Sequence, residues 1–173
     1  MPIVAMLQAG GGEKFITLVN RLGASRDSVS ATLAALIEAG LVQRNPGYGH
    51  PLRPEYLVTP PARELAQACV ELTAVVGEMG QGAVAGKKWA LPAVLAIHRG
   101  ASRYGEVQAL LPGVTPRALS AALKEAVAAG LVKRTVAEDY PPSTVYSLTA
   151  VGERLAPALE AFAAAAEALP GVA

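Results

Sequence analysis

A chain of 173 residues with 52% hydrophobic and 17% charged residues holds enough apolar material for one medium domain or two small ones, and bulk disorder is excluded. Alanine is the commonest residue in that apolar content and aromatics are only 5%, which favours close-packed helices over a large sheet. Fifteen basic against fourteen acidic residues give a net charge of +1, so any contact with nucleic acid must rest on local charge placement; a single cysteine excludes an internal disulfide and a cysteine-based zinc site.

In chain order, an apolar helix is predicted over about 3–9, ending at Gly10. A second follows with Phe15, Leu18 and Leu22 on one face. Ser25 is a good N-cap for a third helix over about 25–39, whose apolar spacing runs Val29, Leu33, Leu36, Ile37; Gly40 stops it. Strand-like segments at 41–45 and 54–59 flank a tip rich in proline and glycine, and a long helix over about 61–79 closes the pattern.

Then the pattern starts again. "AGLVQR" from Ala39 returns as "AGLVKR" from Ala129. Sliding the chain by ninety places gives 14 identities in 48 positions between 25–72 and 115–162, among them Ser30/Ser120, Arg44/Arg134, Tyr56/Tyr146 and Thr59/Thr149. The second set of elements is a helix over about 88–98, a helix carrying Tyr104, Val107 and Leu111, and a third over about 115–129 capped by Thr115. Strands at 131–136 and 143–149 and a last helix over 151–169 complete it. Pro92 is expected to kink or shorten the start of its helix. Helix, helix–turn–helix, hairpin, helix is the order of a winged helix. The expected fold is therefore mainly α with small β wings, two tandem winged-helix domains forming a pseudo-dimer: 1–80, a linker at 81–86, and 87–173.

The second unit resembles the HxlR-type bacterial transcription regulators, relatives of the MarR group. The resemblance rests on "GKKW" from Gly86, on "RYGEVQALLPGVTPRALSAALKEAVAAGLVKR", and on "PPSTVYSLTAVGERLAPAL". It covers 86 to about 163; the first unit keeps the frame in a degraded form, "HPLRPEYLVTPPAREL". It implies a DNA-binding transcription regulator, normally a homodimer, that places the third helix of each unit in the major groove, here two grooves about one helical turn apart. No cysteine stands between the linker and Trp89, so thiol sensing is not carried over.

Arg26, Ser30, Arg117, Ser120 and Lys124 are the base-reading candidates, and Asp27 opposes DNA. Arg44, His50 and Arg53 make the first wing basic. The second has Lys133 and Arg134 at its base but Glu138 and Asp139 near its tip, so the first is expected to be the better DNA arm. Leu65, Cys69, Leu72, Val76 and Met79 step by four and three along one terminal helix, as Leu155, Leu159, Phe162 and Leu169 do along the other. These seams are expected to pack together within one chain or between two. Cys69 is expected to be a packing residue. The expected partners are double-stranded DNA and a second copy of the chain; a small effector between the seams is left open. No cofactor, metal or catalytic group is expected: His50 and His98 stand apart from any carboxylate pair. With no apolar run near the roughly 18 residues of a span and no basic leader, no membrane partner is expected, and the site of action is the cytoplasm, at the nucleoid. The rival is a protein–protein adaptor of tandem winged helices, like those of bacterial chromosome-segregation complexes, favoured by the near-neutral charge and the acidic second wing.

Overall fold

The computed structural model describes residues 1–47, 54–137 and 143–169. It is mainly helical with two small antiparallel hairpins, and it divides into two compact units: Met1–Ala74 with the chain from Ala161, and Val75–Glu160.

In the first unit, α1 (Pro2–Ala9), α2 (Phe15–Leu22) and α3 (Arg26–Glu38) lead into β1 (Val42–Arg44) and β2 (Tyr56–Val58). The Ser25 hydroxyl accepts from the Ser28 amide at 3.2 Å, so the expected cap forms. At the other end Gly40 adopts φ +71°, and the amides of Gly40 and Leu41 reach back to the carbonyls of Ile37 and Leu36. That paired reach-back needs a left-handed residue, hence the glycine. Valine pairs with valine across the hairpin (Val42 with Val58), and Glu13 adds a further rung beside Tyr56. Ile3, Leu7, Leu18, Val29, Leu33, Val42 and Tyr56 form the core.

The last helix of this unit differs from its expected form. Pro60–Ala62 make one 3-10 turn, and α4 proper is Arg63–Glu78. The C-terminal end of α9 (Ala150–Glu167) belongs to this unit from Ala161 on: Phe162, Ala165, Ala166 and Leu169 pack on Val4, Ala5, Leu65, Ala66 and Cys69.

The second unit contains α5 (Gly82–Ala85), α6 (Ala90–His98), α7 (Tyr104–Ala109), α8 (Pro116–Ala128), β3 (Val132–Ala137), β4 (Ser143–Leu148) and α9 as far as Glu160. Residues 82–85, expected within a linker, are a helical turn with Val84 buried, because an apolar side chain there gains more from burial than from a free spacer. Pro92 falls in the first turn of α6, where its missing amide has no intrahelical acceptor, so the helix starts late and is not interrupted. Thr115 caps α8 through the Ala118 amide at 3.2 Å, and Gly130 (φ +70°) closes it as Gly40 closes α3. Val132 pairs with Leu148 and Arg134 with Tyr146. No helix among the described residues is long and apolar enough to cross a membrane.

Candidate nucleic-acid interface

Helix α8 buries Leu119, Ala122, Leu123 and Ala126, which leaves the opposite face to solvent. Arg117, Ser120, Ala121 and Lys124 are exposed on α8. The antiparallel hairpin carries Lys133 and Arg134, both exposed, out beside it. Ser120, Lys124 and Arg134 line one open groove with Tyr104, Leu123, Val127 and Tyr146; its volume is about 330 Å³. Among the described residues, two cations and no carboxylate line this groove, a local placement of positive charge in a chain that is nearly neutral. One guanidinium nitrogen of Arg134 donates to the Thr144 hydroxyl at 3.2 Å, which aims the side chain along the hairpin.

Tyr104 went unnoticed in the sequence, where it counts as an apolar face residue of its helix. Its hydroxyl donates to the Pro116 carbonyl at 2.8 Å and accepts from Ser120 Oγ at 3.4 Å. The signal was present in the repeat, because the matched residue is Phe15. Helix α7 is itself held by Glu106, whose carboxylate accepts from the amides of Ser102 (2.7 Å) and Arg103 (3.0 Å) and from the Ser102 hydroxyl (3.1 Å). Those donors, the Ser102 amide foremost, hold the Glu106 carboxyl below its usual range.

The matched surface of the first unit has different chemistry. Arg26 and Ser30 are exposed on α3, but Ala34 stands where Lys124 stands in α8, and exposed Asp27 and Glu38 offset the charge. Arg44 sits with its guanidinium 5.6 Å from the Tyr56 ring centroid, a cation–π distance. His50 and Arg53 lie outside the described residues, as do Glu138 and Asp139 at the other wing tip. Lys87 pairs with Glu125 at 3.6 Å and Lys88 lies over the Trp89 ring at 5.1 Å.

Along the terminal helices, Leu65, Cys69, Leu72 and Val76 of α4 are buried and Met79 is half-buried; Leu155 and Leu159 of α9 are buried, with Phe162 and Leu169 half-buried. The structure brings Phe162 and Leu169 onto the cluster of Leu65 and Cys69. Burial pushes the Cys69 thiol up, which leaves little thiolate at neutral pH. No group of three or more metal-ligating side chains occurs among the described residues.

The model of the HxlR-like helix-turn-helix family matches residues 84–169. The HTH-type transcriptional regulator YvaP of Bacillus subtilis is 41% identical over 73 residues, 42% of this chain and 68% of that protein. YkvN of the same organism, also described as an HTH-type transcriptional regulator, is 35% identical over 77 residues, 44% of this chain and 65% of that one. Among solved structures, a regulator of the MarR family from Porphyromonas gingivalis W83 is 30% identical with a TM-score of 0.42, over 47% of this chain and 80% of the other.

Proposed function

The chain belongs to the HxlR-like helix-turn-helix family of transcriptional regulators, and from that premise we propose that it binds duplex DNA through the face shared by α8 and the β3–β4 hairpin. The observation that carries this reading is the groove where Lys124, Arg134 and Ser120 meet, with no carboxylate lining it among the described residues. Arg117, Ser120 and Lys124 would meet base edges in the major groove, while Lys133 and Arg134 neutralise phosphates of the adjacent backbone.

The chain is, in this reading, a duplication whose two copies stand in for the two subunits of a dimer, with α3 and α8 as paired helices. The support is in repeated detail. Each third helix has a hydroxyl cap and the same glycine closure, and Thr59 and Thr149 each donate to the glycine carbonyl of their own unit, at 2.6 and 2.5 Å. The copies contribute unequally. The case for the first wing as the better arm rests on His50 and Arg53. At the other matched positions, Phe15 and Ala34 against Tyr104 and Lys124, the first copy lacks both the hydroxyl and the amine, so the second copy carries the larger share.

Fluorescence anisotropy of a labelled mixed-sequence duplex at several salt concentrations tests this. Affinity should fall steeply with salt, and Arg134→Ala should flatten the log–log slope by about one phosphate equivalent. Absence of binding at low salt would sink the reading. The adaptor alternative would then lead, since α3 exposes Ala31, Ala34, Ala35 and Ile37, a surface better suited to another protein than to phosphate.

A further inference from the structure

We infer that Tyr104 fixes the hydrogen-bonding sense of Ser120 and thereby makes it a specificity-determining acceptor for an exocyclic amine, on adenine or cytosine, in the major groove. The inference rests on the DNA-binding reading above and adds to it a base class and a positioning residue.

A serine hydroxyl is normally indifferent: it donates or accepts as its rotor turns, and reads either kind of base edge. Here the rotor has a partner. Tyr104 owns a single hydrogen, and its short bond to the Pro116 carbonyl, 2.8 Å, commits it there. The phenolic oxygen can therefore meet Ser120 only as an acceptor, and the Ser120 hydrogen is the one that points at it across 3.4 Å. That contact is long, so its weight is in direction more than in strength. Ser120 is left with its lone pairs outward on the exposed face of α8. Lone pairs attract the N6 amine of adenine or the N4 amine of cytosine and repel O6 of guanine and O4 of thymine.

The first copy is the internal control. Ser30 matches Ser120, but the residue matching Tyr104 is Phe15, which has no hydroxyl to orient anything. Ser30 keeps a free rotor and reads without preference. Phe15 also shows that a phenyl ring is accommodated at this point of the fold, half-buried among the side chains of its core.

The test is selection from a randomised duplex library with the 173-residue chain, its Tyr104→Phe variant and its Ser120→Ala variant. Each is checked by circular dichroism, and binding of the enriched sites is followed by anisotropy over a range of salt. The wild-type chain should favour adenine or cytosine over guanine or thymine at one position of the strand facing α8. Y104F should relax that preference by about 2- to 10-fold, the range of one hydrogen bond, and leave the salt slope unchanged because Lys133 and Arg134 remain. S120A should relax the same position. An unchanged preference in Y104F overturns the inference while leaving the DNA-binding reading intact. A uniform loss across all sequences, with no change at that position, also overturns it, since Tyr104 would then only hold the fold. No binding by the wild-type chain removes both.

Discussion

Thr59 and Thr149 occupy the same place in the two units, yet the structure gives them different amounts of work, and replacing each by valine measures the difference. Valine keeps the branched shape and removes only the hydroxyl. Thr149 Oγ1 donates to the Gly130 carbonyl at 2.5 Å and also accepts from the Gly152 amide at 3.1 Å, a part-buried contact that caps α9. Thr59 Oγ1 donates to the Gly40 carbonyl at 2.6 Å, but the 3-10 turn that follows it has no side-chain cap bond. Losing one hydrogen bond to a partly solvated carbonyl costs about 1 kcal/mol, and losing a helix cap about 1 kcal/mol more. Thr149→Val is therefore expected to cost about 2 kcal/mol and Thr59→Val about 1 kcal/mol. Native-state hydrogen exchange reads each unit separately: the amides of Leu119 and Leu123 report the second, those of Val29 and Leu33 the first. The second unit should lose about fivefold more protection in its variant than the first unit loses in its own. Equal losses, or a larger one for Thr59→Val, would refute the assignment of the extra cap to Thr149.

Two further outcomes follow from the titrating groups. The carboxyl of Glu106 is held below its ordinary range in the folded chain, so the stability it contributes is fully present above the unfolded carboxylate pKa and is lost as pH falls through the folded value. The stability gap between wild type and Glu106→Gln in urea unfolding should accordingly be widest near neutrality and close toward pH 3; a gap independent of pH would contradict it. Cys69 is buried, its thiol is pushed up by desolvation, and Phe162 packs on its cluster. A disulfide reagent should react with the native thiol far more slowly than with the unfolded chain, and Phe162→Ala should speed that reaction at a cost of about 2 kcal/mol or more in stability; fast labelling of the native wild type would count against it.

The sequence by itself determined whatever depends on neighbours along the chain. Ser25 and Thr115 cap their helices because a hydroxyl there reaches the amide three residues on, and Gly40 and Gly130 end them because those positions need positive φ. The hairpins follow from two apolar runs around a turn, and the ninety-residue repeat says that all of this happens twice. The exposed faces of α3 and α8 were legible for the same reason: burial of Val29 and Leu33, or of Leu119 and Leu123, fixes by rotation which residues are left outside. Tertiary structure decided what depends on approach between distant segments. The groove joins Tyr104, Lys124 and Tyr146, three elements whose distances apart in sequence carry no period. The bond from Tyr104 to Pro116 exists because α7 packs beside the start of α8, and no spacing rule announces it. The end of α9 likewise joins the unit that begins the chain, since Phe162 and Leu169 bury their apolar surface on Leu65 and Cys69. Hydrophobic burial is indifferent to sequence distance, so a stripe of leucines declares that it will be covered while leaving the choice of cover to the fold.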